Sequence, residues 1–242
     1  MPHSLPLSDQ LARCRIVSGS MLKVIAVLSM LVDHVALFLL KDIPECGTVL
    51  FAIGSRVFTP YVLCRLSGRL AFPIFAFLVV EGFLHTRNRM RYGLNLLIFA
   101  LLSEIPWNLV NGGTLLYPTQ NVLFTLLLGY LGLCAIEAYK KRWLPQAAII
   151  VGLFAVSMYL HANFGAKGYI LILSIYCLRH IKPVQAVVGM LILPFKLMVG
   201  LSFVVINMYN GKRGFIQGNF AKYLFYIIFP LHLLIIWLIQ VL

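Results

Sequence analysis

Residues 105–136 read IPWNLVNGGTLLYPTQNVLFTLLLGYLGLCAI and contain no Asp, Glu, Lys or Arg. A second stretch without these charged residues follows at 143–166. Each stretch exceeds the roughly 20 residues with which an α-helix crosses a bilayer. Of the 242 residues, 61% are hydrophobic and 11% are charged, whereas soluble domains contain about 25% charged residues. The sequence therefore predicts a helical membrane protein rather than a soluble enzyme.

Further apolar runs of helical length cover much of the remaining chain. The predicted spans are residues 22–40, 68–84, 93–110, 120–138, 145–161, 168–178 and 223–241. Residues 183–209 are interrupted by Pro194 and Lys196, so they form either one span or two short half-helices. Residues 47–66 are predicted to be an amphipathic or re-entrant stretch on the outer side. We expect an all-α, polytopic protein with about 8–10 transmembrane helices, including a short broken pair.

The basic residues predict the orientation, because Lys and Arg near the ends of spans are retained in the cytoplasm. Every second loop is basic, whereas residues 111–119 carry no charge and residues 162–168 carry only Lys167. The basic groups are Arg13, Arg15 and Lys23; Arg87, Arg89 and Arg91; Lys140, Lys141 and Arg142; and Arg179 with Lys182. This pattern predicts a cytoplasmic N-terminus. Two half-helices within 183–209 would keep Lys212, Arg213 and Lys222 on the cytoplasmic side as well.

The charge balance also bears on partners and domains. The chain has 20 basic and 7 acidic residues, a formal net charge of +13. In a multi-pass protein of the cell membrane this excess reflects cytoplasmic loops beside membrane lipids, so no nucleic-acid partner is expected. We expect a polar cytoplasmic segment at 1–20 and one transmembrane domain at 21–242. The oligomeric state stays open.

Asp33, Arg69, Glu81 and Glu104 lie within predicted spans. Each charge at mid-bilayer costs roughly 2.5–3.5 kcal/mol, so these side chains are expected to face the protein interior. Pairing of Arg69 with Asp33 or Glu104 is the simplest way to neutralise them. Such a network can be purely structural or can form a functional site.

A polar cluster is predicted in the outer half of the membrane, where several spans contribute one or two polar side chains. Its members are Asp33, His34, Arg69, Glu104, Asn108, Asn121, Thr125 and His232. A carboxylate near an imidazole can fix its tautomer and raise its basicity, so Asp33 and His34 suggest a general base. Asp33 can equally orient a different group, since neighbours on a helix diverge by about 100°. No HExxH motif, close His pair or CxxC spacing occurs, and no metal site is expected.

A separate inner set contains Glu81, Arg87, Arg89 and Arg91. Guanidinium groups can hold phosphate oxygens in pairs, so the three arginines are candidate phosphate ligands. Alternatively, they act only as determinants of topology.

Five ordered blocks resemble the TraX proteins, a family named for an enzyme that N-acetylates conjugative pilin. The blocks are LKVIAVLSMLVDH at 22–34, GRLAFPIFAFLVVEGFLHT at 68–86, FALLSEIPWNLV at 99–110, NVLFTLLLG at 121–129, and YNGKRG at 209–214 with KYLFYIIFPLHLL at 222–234. Many members have Asp-Tyr-Gly where this chain reads Asn163, Phe164 and Gly165, which puts the role of an acid there in doubt. A fainter similarity to acyltransferase-3 membrane enzymes lies in Lys23, His34 and the arginines after FAFLVVEGF.

These resemblances imply an acyltransferase-like domain at 21–242 that moves an acyl group, most simply acetyl, from cytoplasmic acetyl-CoA to an outer amine or hydroxyl. The acceptor can be a protein amine, a glycan or a small molecule. The expected catalytic residues are Asp33, His34, Glu104 and His232; the expected substrate-binding residues are Arg69, Asn121, Thr125 and Tyr169; and the expected acyl-CoA ligands are Arg87, Arg89 and Arg91. His34 is the expected base, oriented by Asp33 or Glu104, and His232 is the alternative base. A proton-coupled transporter and a non-catalytic membrane assembly factor remain alternatives.

Overall fold

The first helix, α1, runs from Gly19 to Val35 and continues through a π-helical turn at Ala36–Leu40. The computed structural model describes residues 15–242, apart from the side chains of residues 219–222. Most of the predicted N-terminal segment 1–20, with Arg13, lies outside the described residues. Ser18 caps α1, because its Oγ accepts a hydrogen bond from the Met21 amide at 3.3 Å.

Residues 47–66, predicted to be an amphipathic or re-entrant stretch, form a β-hairpin and the first part of a helix. A 3₁₀ turn at Pro44–Gly47 leads into an antiparallel hairpin of β1 (Phe51–Ile53) and β2 (Arg56–Phe58). Gly54 has a φ of +60°, which suits the tight turn between the strands. Helix α2 (Pro60–Gly68) then begins at a proline, after the side chain of Thr59 accepts a hydrogen bond from the Val62 amide. The short alternating segments before Thr59 therefore pair as strands instead of entering the membrane as a helix.

Five helices follow in chain order and carry most of the predicted spans. They are α3 (Ala71–His85), α4 (Arg89–Gly112), α5 (Val122–Ala138), α6 (Trp143–Tyr159) and α7 (Gly165–Cys177). Asn88 and Asn121 cap α4 and α5 with their side-chain oxygens, which accept from the amides of Arg91 and Leu123. Gly113, with a φ of +64°, ends α4 in the left-handed conformation that glycine adopts without strain.

Residues 183–209 form two short helices rather than one span. Helix α8 (Lys182–Ile192) and helix α9 (Lys196–Asn207) are separated around Pro194, where Phe195 has a φ of +62°. After α9 the chain returns to the N-terminal end of α1. There the carbonyl oxygen of Lys212 accepts a hydrogen bond from the Gly19 amide at 2.9 Å. Helix α9, with 12 residues, is about 18 Å long, well short of the roughly 30 Å hydrocarbon core. The pair of half-helices is thereby confirmed.

The last helix, α10 (Gly218–Val241), contains Pro230 and packs extensively against α4. Among the described residues, four helical stretches are long and apolar enough to cross a membrane: Gly19–Leu40, Pro60–His85, Arg89–Gly112 and Tyr223–Val241. Shorter apolar helices make up the rest of the bundle. The protein is a helical membrane protein, as the sequence predicts.

Glycines allow the helices to approach closely, as is typical of membrane proteins. Gly129 of α5 lies against Ile172 of α7, and Gly189 of α8 lies against the ring of Phe203 in α9. Large apolar side chains such as Leu102 and Ile105 of α4 are more than half exposed on the outside of the bundle. This outer surface is the one that lipid would cover.

Candidate functional site

An elongated cavity of about 940 Å³ runs through the bundle. Its walls come from α1 to α5, the N-cap of α7, the loop after α9, and α10. Along α1 the lining residues extend from Gly19 to Leu37, a distance of about 27 Å at 1.5 Å per residue. The cavity therefore spans most of the thickness of a bilayer and connects the inner basic set with the outer polar cluster.

Two histidines meet at the end of the cavity that holds the predicted outer polar cluster. His34 of α1 and His232 of α10 are both buried, and their nearly parallel rings have centroids 4.9 Å apart. His34 Nδ1 lies 2.6 Å from His232 Nε2. His34 lines the cavity, whereas His232 is not among the lining residues. His34 is therefore the histidine that a substrate in the cavity would meet.

The hydrogen bonds of His232 assign the tautomers of both rings. His232 Nδ1 lies 2.8 Å from the carbonyl oxygen of Ile228, which can only accept. With its proton on Nδ1, neutral His232 has a free electron pair on Nε2 and accepts from His34 Nδ1. The proton of neutral His34 then sits on Nδ1, which leaves His34 Nε2 unprotonated. His232 is the orienting partner of His34, in place of the expected Asp33 or Glu104.

Aromatic rings surround His34. Phe38, Trp107 and Phe229 lie with ring centroids 5.9, 6.5 and 6.3 Å from the His34 ring. Trp107 is itself held by a 2.7 Å hydrogen bond from its Nε1 to the Thr119 carbonyl. These contacts fix the orientation of the imidazole and limit the access of water to it.

Asp33 pairs with Arg65 rather than with the expected Arg69 or with His34. Arg65 Nη1 lies 2.6 Å from Asp33 Oδ1 and also donates to the Asp33 carbonyl at 3.2 Å. Gly68 makes this arrangement possible, because a Cβ at that position would overlap the Asp33 side chain. Asp33 and Arg65 both line the cavity, and their side chains are 17% and 18% exposed.

Arg69 also lines the cavity, but its contacts are different. Its guanidinium Cζ lies 4.7 Å from the centroid of the Phe195 ring, at the junction of the two half-helices. Asp33 attracts Arg69 electrostatically as well as Arg65. Among the described residues, no carboxylate forms an ion pair with Arg69.

Hydrogen bonds from Asn121 to Glu104 connect the start of α5 with α4. Asn121 Nδ2 donates to Glu104 Oε2 at 2.6 Å and to the Ala100 carbonyl at 2.9 Å. The Asn121 amide donates to the same carboxylate oxygen at 3.3 Å. Neither Glu104 nor Asn121 is among the cavity-lining residues. The structure therefore brings them together beside the site, with their polar groups turned to each other.

Thr125 and Tyr169 are not among the cavity-lining residues either. Thr125 Oγ1 donates to the Asn163 carbonyl at 2.6 Å, and Tyr169 Oη donates to the Ile150 carbonyl at 3.0 Å. Tyr169 instead borders a shallow apolar groove between α6 and α7. Asn163, whose backbone Thr125 holds, does line the cavity.

The opposite end of the cavity is strongly basic. Its charged lining residues are Lys23, Arg87, Arg91 and Arg213, with Glu81 as the acid. Arg89, the third expected acyl-CoA ligand, is not among the lining residues and stacks its guanidinium 4.5 Å from the centroid of the Phe83 ring. The excess of positive charge attracts an anion to this mouth of the cavity.

Glu81 lies within the basic end beside Tyr209 and His85. His85 Nδ1 is 3.4 Å from Glu81 Oε2. Burial, together with the charge of Glu81 and a hydrogen bond to it, raises the pKa of Tyr209 to about 12. Tyr209 is therefore protonated at neutral pH and donates a hydrogen bond to Glu81.

Sequence reasoning missed Arg65 and Arg213 as site residues. Arg65 precedes Arg69 by four positions, a spacing that places both on one helical face, but its segment was expected to be an amphipathic or re-entrant stretch on the outer side. Arg213 reaches the cavity because its carbonyl accepts hydrogen bonds from the amide and Oγ of Ser20, which draws the loop after α9 to the start of α1. No local pattern marks this contact.

Comparison with known proteins identifies the family. The family described as TraX protein matches residues 18–240. The chain belongs to the TraX family. This TraX-family chain is 29% identical over 243 residues to a protein of Dichelobacter nodosus described as "Probable fimbrial assembly protein FimC, serogroup H1". The match covers 89% of the chain and 93% of the relative. No solved structure matches the TraX-family chain.

Proposed function

We propose that this protein is a membrane acyltransferase that moves an acyl group, most simply acetyl, from acyl-CoA to an amine or hydroxyl acceptor. The observation that carries the proposal is the cavity of about 940 Å³ that joins the basic mouth to His34. One acyl-CoA molecule can therefore place its phosphates among the basic side chains of the mouth and its acyl group beside the imidazole of His34. A purely structural charge network needs no such passage.

The proposed orientation follows the distribution of basic residues. The mouth with Arg87, Arg91 and Arg213 faces the cytoplasm, where acyl-CoA is found, and the end with His34 faces outward. The chain then crosses the cell membrane several times. Guanidinium groups at the mouth bind phosphate oxygens of the donor through charge-assisted hydrogen bonds.

In the transfer step, His34 Nε2 removes a proton from the acceptor amine or hydroxyl while the acceptor atom forms a bond to the thioester carbon. His232 stabilises the resulting imidazolium by accepting from Nδ1. Positive charge from Arg69 favours the oxyanion of the tetrahedral intermediate. The carbon–sulfur bond then breaks, and His34 returns its proton to the leaving thiolate, which yields free CoA and the acylated acceptor.

The relative named for fimbrial assembly suggests the kind of acceptor. An amine of a pilus subunit held at the outer face would fit an acetyl transfer, although glycans and small molecules have the same reactive groups. The name also favours a second candidate function, a non-catalytic membrane assembly factor. In that case the protein would catalyse no acyl transfer.

The test uses the full chain, purified in lipid nanodiscs and incubated with radiolabelled acetyl-CoA and an envelope fraction. Acetylated product that depends on His34 supports the proposal. Binding of acetyl-CoA without any transfer, or transfer that the His34→Gln variant retains in full, would contradict it. Co-purification of pilus subunits without transfer would instead favour the assembly factor.

A further inference from the structure

The outer end of the cavity carries an uncompensated positive charge. Its charged lining residues are Asp33, Arg65 and Arg69, and Asp33 is in direct ion-pair contact with Arg65. Glu104 does not line the cavity and has its carboxylate engaged by Asn121. Within the part of the chain that the structure describes, one carboxylate thus faces two guanidinium groups, and the charge of Arg69 is left over.

Such a surplus charge within a membrane is costly unless an anion or water accompanies it. Arg69 contacts the Phe195 ring on one side, while its position in the cavity wall leaves it accessible to a molecule inside. The N-terminus of α7 adds positive potential, since Asn163 and Phe164 at its start line the same cavity and none of the described side chains caps this helix. The surroundings of Arg69 therefore favour an anion.

The acceptor site is also beside His34, because Asp33 and His34 are consecutive and both line this end of the cavity. An acceptor whose amine or hydroxyl reaches His34 Nε2 would bring its nearest substituents into the same space. A carboxylate or phosphate on that acceptor would meet the planar guanidinium of Arg69, which can donate paired hydrogen bonds to such a group.

We propose that the acceptor carries an anionic group, a carboxylate or a phosphate, close to the amine or hydroxyl that is acylated, and that Arg69 binds this group. This inference rests on the proposed acyl transfer and names the chemical class of its acceptor. The anionic group takes no part in bond making; it places the nucleophile at His34. An acceptor without the charge lacks this anchor.

The first test measures binding without turnover, using acetylated product analogues and isothermal titration calorimetry on the purified full chain. N-acetylglycine is compared with N-acetylglycinamide, and N-acetylphosphoethanolamine with N-acetylethanolamine. The charged member of at least one pair should bind more tightly to the wild type than the neutral member does. The pair that shows this difference identifies the anionic group of the acceptor as a carboxylate or a phosphate. Arg69→Gln should weaken that binding about 10- to 100-fold, the effect of one charge-assisted contact.

Matched variants separate the site from general charge effects. Arg56→Gln removes an exposed arginine from the hairpin, outside the cavity lining, and should leave binding unchanged. Asn163→Asp adds an acid to the cavity wall at nearly constant volume and should weaken binding of the charged analogue. The Asn163 backbone is held by Gln120 and Thr125, so this change leaves the loop in place.

The second test compares kcat/KM for glycine and glycinamide, or for phosphoethanolamine and ethanolamine, in wild type and Arg69→Gln. The inference requires the ratio of charged to neutral acceptor to fall about tenfold or more in the variant. An equal loss for both acceptors would mean that Arg69 acts on the oxyanion alone, and it would overturn the inference while transfer stands. Binding that depends on Arg69 without transfer to any acceptor would overturn the proposed function and retain the anion site.

Discussion

His34 is the residue on which the proposed chemistry depends. Because His34 lines the cavity and its assigned tautomer leaves Nε2 unprotonated, His34→Ala should lower acetyl transfer about 10²–10⁴-fold, the usual contribution of a general base. The measurement is the single-turnover rate with labelled acetyl-CoA. His180→Ala, which removes an exposed histidine near the basic loops, is the control and should retain full activity. Full activity of His34→Ala would exclude His34 as the base.

His232 acts on the reaction through His34. His232→Phe removes the acceptor for His34 Nδ1 and should reduce kcat about 10- to 100-fold, since a hydrogen bond to a charged group contributes about 1.5–3 kcal/mol. The KM for acetyl-CoA should change little, because the basic mouth lies at the other end of the cavity. His232→Gln keeps an acceptor oxygen and should recover part of the loss. Equal kcat for the Phe and Gln variants would argue for a packing role instead.

At the scale of elements, the contact between α1 and α2 depends on Gly68. Gly68→Ala places a methyl group on the Asp33 side chain and should destabilise the protein by about 1–3 kcal/mol, the usual cost of overpacking. Thermal unfolding in detergent would show a lower Tm. Gly152→Ala in α6 meets no atom within 4 Å and is the matched control, with an unchanged or slightly higher Tm. An unchanged Tm for Gly68→Ala would mean that α2 can move away from α1.

The start of α4 separates two kinds of arginine. Arg87 and Arg91 line the cavity, whereas Arg89 lies over Phe83. The double variant Arg87→Gln/Arg91→Gln should weaken acetyl-CoA binding by tenfold or more, on the order of one or two charge-assisted hydrogen bonds. Arg89→Gln should have a much smaller effect. Titration calorimetry measures both; equal losses would point to a general effect of charge.

At the scale of the whole molecule, the basic loops should share one side of the membrane. Single cysteines at Thr114 and Lys141, both exposed and in loops at opposite ends of α5, test this in a background without the native cysteines. A membrane-impermeant maleimide should label Thr114→Cys in intact cells, and should label Lys141→Cys only after permeabilisation. The reverse pattern would place the basic mouth outside and would separate it from cytoplasmic acyl-CoA.

Much of this architecture could be predicted because hydropathy and charge are read from consecutive residues along the chain, without knowledge of which helices are neighbours. The predicted span 22–40 ends with the π-helical turn, and Pro194 marks the break in the pair of half-helices. The return of Lys212 to the N-terminal end of α1 agrees with the rule that basic loop residues lie on the same side of the membrane. The hairpin before Thr59 was missed because its short apolar segments have no helical or membrane-spanning length.

The sequence by itself determined the class of protein, the approximate positions of most helices, the TraX family and the presence of polar residues inside the bundle, including Asp33, His34 and His232. Only the tertiary structure decided their partners: Asp33 pairs with Arg65, and His34 with His232, 198 positions away. It also turned Glu104 toward Asn121 and away from the cavity. The physical reason is that hydropathy reports depth in the membrane, whereas a partner depends on the rotation of each helix about its axis and on its neighbours, which packing determines.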